Sequence, residues 1–339
     1  MLLYALRRLL LVVPLLLAVS LLVFALVSAF PGDPCLIKLG QHAPAPAVAR
    51  CHAELGLDKP WLERYGNFLS GAIRLDFGRD FFTSEDVGAV MATKLHATIE
   101  LAFAALLLAW LLGTWLGTRS ALKPGGWSDF LGQVLALGGT SIPVFWLGML
   151  MIVLFGVKLE WLPFTGWTAG EIGPGVSYST GFLFFESLFR GEWAAAGNAL
   201  KHLVLPAVAL ATIPLAVITR MTRSAMLEEL GKDYVTTARA KGLPERLVVG
   251  RHVRRNVLIP VVTITGLQLG TLLSGAVLTE TVFSWPGMGT HLVQAALQRN
   301  YPVITAAMLL FTVIFVLVNL VVDVLYHLID PRLRTPRAR

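Results

Sequence analysis

Six predominantly apolar stretches of 18 residues or more carry no charged side chain: Leu9–Phe30, Leu101–Thr118, Phe130–Val157, His202–Thr219, Asn256–Thr279 and Asn300–Val322. A hydrocarbon core of about 30 Å is crossed by about 20 apolar residues of helix. A helix also satisfies its own backbone N–H and C=O groups where no water can. The pattern predicts an all-α polytopic membrane protein with six transmembrane helices. A soluble globule is excluded, because charged residues make up 14% of the chain against about 25% in soluble domains. Arg7 and Arg8 precede the first run as they would in a signal sequence. Its 22 residues nevertheless exceed the roughly 7–15 of a signal core.

Six spans put both termini on one side, and basic residues choose that side. With cytoplasmic termini, the inner segments 1–8, 119–129, 220–255 and 326–339 carry 17 of the 28 Lys and Arg residues. The others are diluted over longer outer segments, mostly 31–95, and long translocated stretches weigh little in orientation. The net charge of +7 then follows from topology, with no nucleic acid required. The chain divides into the N-terminus and first span (1–30), an outer segment (31–95) and a core (96–339) holding five spans.

In the outer segment, Pro31-Gly32-Asp33-Pro34 ends the first helix. Ala47–Leu57 and Leu62–Leu75 read as short amphipathic helices of a small folded cap. Cys35 and Cys51, the only cysteines, both fall here; a disulfide and two separately buried thiols are the alternative readings. The second outer segment, Lys158–Lys201, is rich in Trp and Phe, including Trp161, Trp167, Phe182, Phe184, Phe185 and Trp193. Such rings favour the headgroup level, which predicts an interfacial helix near 181–190.

The inner segment Arg220–Arg255 is 36 residues long, with nine basic and four acidic side chains. Asp233–Lys241 holds good helix formers, and Gly242 supplies a left-handed cap. Pro244 suits the first turn of a second helix, with Leu247, Val248 and Val253 at helical spacing. Two short helices around a Gly-Leu-Pro corner make a knob on the membrane surface. A basic face lying on anionic lipid explains the charge but not the corner.

These residues resemble the coupling motif of permease subunits of binding-protein-dependent ABC importers. The run Tyr234-Val235-Thr236-Thr237-Ala238-Arg239-Ala240-Lys241-Gly242-Leu243, followed by His252 to Pro260, is similar to the dipeptide/oligopeptide/nickel branch. Thr236 stands where the general importer motif has Glu, a departure familiar in that branch. Leu55–Pro60 with Arg64-Tyr65, Thr279–Gly289, Arg299–Pro302 and Asn319–Arg334 resemble other parts of its first permease subunit, with Asn300 standing where Asp is usual. The resemblance covers essentially the whole chain. It implies a type I ABC importer transmembrane domain in the bacterial inner membrane, importing dipeptides or short oligopeptides; nickel or another small solute is the alternative cargo. It also implies a second homologous permease in a heterodimer, two ATP-binding subunits holding ATP and magnesium, and a periplasmic or lipid-anchored peptide-binding protein. Residues implied in ATPase coupling are Tyr234, Ala238, Arg239, Ala240, Lys241, Gly242, Leu243, His252, Arg255 and Asn256, with Arg239, Lys241 and Arg246 set to pair with acidic groove residues.

An energy source on another chain is also what the residues call for. Gly231-Lys232 is followed by Asp233 and lacks the earlier glycine of a phosphate loop. Neither a His-Glu-x-x-His zinc motif nor a serine nucleophile elbow occurs, so no catalytic or metal site is expected and no cofactor in this chain. An ion-gradient-driven secondary transporter would carry ionisable groups at mid-membrane, and all six runs are charge-free. Span five holds Thr263, Thr265, Gln268, Thr271 and Ser274, a polar set suited to lining a translocation path. Glu280 and Asp323 sit at span ends where carboxylates reach water. Glu280, Trp285 and Pro286 are candidates for an outer gate or receptor contact. Gly113/Gly117 and Gly266/Gly270 have the spacing of close helix contacts, with pore lining as the alternative reading.

Overall fold

A computed structural model describes residues 2–29, 32–164 and 180–329; side chains are described from residue 12 onward within these ranges, except 274 and 323–329. Expectations resting on the Arg7, Arg8, Ser274 and Asp323 side chains, or on Pro31, Trp167, Asp330, Pro331 and Arg334, lie outside what is described.

The apolar runs become helices that overshoot them. Helix α1 is Leu2–Ala29 and is followed by three short helices, α2 (Pro34–Leu39), α3 (Ala45–Glu54) and α4 (Trp61–Ile73). The second run lies in α5 (Val87–Leu122), which starts 14 residues before it because the Asp86 carboxylate caps the helix by accepting the Ala89 N–H at 2.8 Å. The fourth lies in α9 (Trp193–Leu230), 38 residues long and continuous through Pro206 and Pro214. The fifth and sixth form α12 (Arg254–Val282) and α14 (Tyr301–Ile329). Among the described residues there is no strand, only one isolated bridge between Arg79 and Asp86.

The third run is not one straight span. It divides into α6 (Trp127–Ser141) and α7 (Val144–Met151), the latter continued by a π-helical stretch, Ile152–Lys158. The two halves are bent by 107° at Ile142-Pro143, where proline lacks a donor and pushes the preceding residue out of the helical region. Five helices are thus long and apolar enough to cross a membrane, or six if the bent pair is one span. The short α8 (Leu183–Phe189) falls where aromatic residues predict an interfacial helix.

Helix α9 is central, packing on α5, α6, α7 and α12. Small residues allow it: Ala97, Ala105 and Ala109 of α5 and Ala199, Ala207 and Ala211 of α9 are all buried in one core. A Cβ at Gly117 would lie 2.6 Å from the Thr219 carbonyl, and one at Gly266 would lie 2.8 Å from Val322. Both glycine pairs are therefore packing contacts. A second core joins Val23 and Val27 of α1, Val87 and Met91 of α5, and Ala306 and Ala307 of α14. It also takes in Met288 and Ala295 of α13 (Met288–Gln298).

Candidate functional site

The knob forms as α10 (Asp233–Ala240) and a turn α11 (Glu245–Leu247), which runs on as a π-helical stretch Val248–Val253 into α12. Gly242 joins them at φ +75°, and a Cβ there would meet nothing within 4 Å; the demand for glycine is conformational. Pro244 stands one place earlier than expected, as the N-cap. Val235, Val248 and Val253 are fully buried and fix the knob to the bundle. Ala238, at 8% exposure, belongs with these anchors. Leu247, grouped with Val248 and Val253 in the sequence pattern, is 47% exposed, and Leu243 is 36% exposed. With Ala240, Lys241 and Arg246, also exposed, they make a part-apolar, basic corner.

Other coupling residues serve the knob's own architecture. The Arg239 guanidinium donates to both Glu245 carboxylate oxygens, at 3.1 and 2.6 Å, so it is partnered within the chain. The Tyr234 hydroxyl donates to Glu229 at 2.6 Å, and the Asn256 amide donates to both, at 3.2 Å each. Burial first, then the Glu229 carboxylate, push the Tyr234 phenol up, keeping it a donor. His252 and Arg255 are exposed. Nearby, Asp129 of α6 accepts from Arg223 of α9 at 2.7 and 2.9 Å, from the Gly125 N–H at 2.9 Å and from Gln133 at 3.0 Å. Sequence reading gives no sign of this pair, whose members are 94 positions apart.

The residues at the other end of α12 also take on different roles. Glu280 does not reach water: its exposure is 0%. Its carboxylate accepts from Thr98 of α5 at 2.6 Å and from the N–H groups of Gly289 and Thr290 at 2.7 and 3.1 Å. Thr98 in turn accepts the Met288 N–H at 2.9 Å, and the Trp285 indole donates to the Ala97 carbonyl at 2.9 Å. A Cβ at Gly287 would collide with the Glu280 carboxylate, and one at Gly289 would lie 2.7 Å from Val277 Cα. The Trp-Pro-Gly-Met-Gly run is therefore shaped around a carboxylate. Glu280 and Trp285 are buried, at 0% and 2% exposure, and Pro286 is half-buried. Glu100, which marks the edge of an apolar run in the sequence, is 1% exposed and accepts the Phe184 and Phe185 N–H groups that open α8.

The path candidates Thr263, Gln268 and Thr271 lie along α12. Thr263 donates to Ile259 at 3.0 Å and Thr271 to the Gln268 carbonyl at 2.8 Å, both within α12, and Gln268 is buried at 9% exposure. Thr271 does line a cavity of about 350 Å³ with Pro143, Pro214 and Leu278, beside the break in the third run.

Asp33, Cys35 and His52 form the one described group with donor atoms as close as a metal site needs, but the Cys35 sulfur is in a disulfide with Cys51, leaving no thiolate.

Residues 109–335 match the family described as binding-protein-dependent transport system inner membrane component, and residues 1–102 match the N-terminal part of such components. The chain is 45% identical to the di/tripeptide transport system permease protein DppB of Pseudomonas aeruginosa, over 98% of each. It is 44% identical to the dipeptide transport system permease protein DppB of Escherichia coli K12, again over 98% of each. Identity to the glutathione transport system permease protein GsiC of Salmonella typhimurium is 38%, with the same coverage. With the family match extending over most of its helices, the chain belongs to the inner membrane components of binding-protein-dependent transport systems.

Proposed function

We propose that the chain is one of two pore-forming subunits of an ATP-driven importer of dipeptides or short oligopeptides in a bacterial inner membrane. What carries this reading is 44–45% identity along nearly the entire chain to permeases named for dipeptide and di/tripeptide transport, against 38% to one named for glutathione. A second, homologous permease completes the pore, and a separate peptide-binding protein delivers cargo to the outer face.

The knob faces the cytoplasm. Its corner, with Leu243 and Leu247 exposed alongside Lys241 and Arg246, suits a groove with an apolar floor and acidic rim on an ATPase subunit. ATP and magnesium are held by two such subunits. The knob is tied to α9 and α12 through Glu229, Tyr234 and Asn256, so movement of the corner becomes rigid-body movement of helices.

The test is uptake of labelled dipeptide by cells in which this chain replaces the native subunit. Gly242→Arg places a bulky charge at the exposed corner and is expected to abolish uptake while membrane levels hold. Normal uptake by that variant removes the coupling role. Failure of the unaltered chain to restore dipeptide uptake, while it restores uptake of another solute, removes the substrate assignment.

A further inference from the structure

Helix α4 lies too deep along α1 to belong to an aqueous cap. The Tyr65 hydroxyl is 2.9 Å from Ser20 Oγ, and the Trp61, Tyr65 and Phe68 rings all surround Phe24, with centroids 5.4–5.5 Å away. Ser20 is nine residues before the end of α1, about 13 Å along a helix rising 1.5 Å per residue, and near the middle of the apolar window Val12–Ala29. One side of α4 is held by α1. The adjoining side carries Leu62 and Ile73, 76% and 77% exposed, while Glu63, Asn67 and Ser70 occupy the opposite arc. An exposed apolar side on a helix held this far along α1 is the pattern of a segment that turns that side to lipid.

Above it opens a cavity of about 720 Å³ between α1, α4, the 77–84 turn and the start of α14. Lys38, Lys59, Arg64 and Arg79 line it, against two acids, Glu54 and Asp80. Lys59 is paired with Glu63 at 2.9 Å, and the Asp80 carboxylate is engaged by the Phe82 and Thr83 N–H groups at 2.7 and 3.0 Å. Lys38 and Arg79 are exposed with no ion pair among the described residues. We propose that this cavity seats the phosphate headgroup of an anionic phospholipid, whose acyl chains descend over the exposed leucines of α1 and α4. The neighbouring depth of α4 is what favours a lipid over a soluble anion: the cavity borders Phe24, Val27 and Ser28 in the last turns of α1, where an apolar span gives way to headgroups, and lysine and arginine reach a headgroup from apolar stems.

Two measurements on the complete chain in nanodiscs test this. No described cysteine is free, so Leu62→Cys accepts a single spin label; oxygen is expected to relax it more strongly than a water-soluble nickel chelate, and the reverse order overturns the proposal. Phosphatidylglycerol retained through purification is expected to fall in Lys38→Gln/Arg79→Gln, by about fivefold for each basic side chain lost. Unchanged retention overturns the headgroup site. So does displacement of the lipid by saturating dipeptide, which reassigns the cavity to a peptide carboxylate.

Discussion

Thr98 and Glu280, 182 positions apart in sequence, meet through a 2.6 Å hydrogen bond that closes the α12–α13 corner onto α5. Glu280→Ala strands two backbone N–H groups and the Thr98 hydroxyl in a buried site, at about 1–3 kcal/mol for each unsatisfied group. Gly289→Ala forces a Cβ against Val277, an overpacking worth about 1–3 kcal/mol. Thermal unfolding of the detergent-purified chain should rank wild type above Gly289→Ala and both above Glu280→Ala. A wild-type midpoint for Gly289→Ala contradicts the close approach.

The Asp129–Arg223 pair gives a second prediction. Asp129 is 3% exposed at its side chain, so Arg223→Gln leaves a buried carboxylate without its partner, at about 3 kcal/mol. Adding Asp129→Asn removes that charge and should restore much of the loss. A double-mutant cycle by thermal unfolding measures the coupling; simple additivity of the two substitutions contradicts it.

Asn300 is 1% exposed and lies beside Asp80. Burial raises the Asp80 carboxyl, but hydrogen bonds from the Thr83 and Phe82 N–H groups and from Asn300 outweigh it and leave the group below the ordinary range. In the native chain its stabilisation is therefore complete above about pH 4 and is lost as acid protonates it. Asn300→Asp puts a like charge alongside and raises the pair. The sign then reverses: the variant's deficit should be largest at neutral pH and shrink as pH falls. A deficit independent of pH across an unfolding series argues against contact between these side chains.

The disulfide between Cys35 and Cys51 spans 16 positions, a loop for which cross-linking contributes about 3 kcal/mol. Beside it, burial raises the Asp33 carboxyl, while the His52 ring and the Cys35 N–H pull it below its usual value. Cys51→Ser should speed proteolytic cleavage within 33–60 while sparing α5 and α9, and acid below about pH 4 should enhance cleavage further as Asp33 loses its charge. Equal cleavage rates in native and variant chains count against a structural role for the bridge.

Five of the six apolar runs were legible as helices because charge-free length is a one-dimensional property. Their ends were not. Helix α5 begins at Val87, where Val87 and Met91 pack against α13 and α14, contacts that no local pattern reveals. Pro143 was visible, but whether a proline is absorbed, as Pro206 and Pro214 are in α9, or turns the chain, as at the α6–α7 break, depends on what packs around it. The knob's corner was readable from Gly242 and Pro244. The burial of Glu280 was hidden because it requires that residues 287–290 fold back over their own helix. Asp129 and Arg223 carried no signal at all.

The three-way junction of Glu229, Tyr234 and Asn256 has a mechanical consequence. It gathers the last turn of α9, the first turn of α10 and the first turn of α12 around one carboxylate, and α9 then extends unbroken for about 57 Å, at 1.5 Å per residue. A torque applied at the surface corner is consequently shared by two rods from a common pivot, and neither can swing without dragging the other.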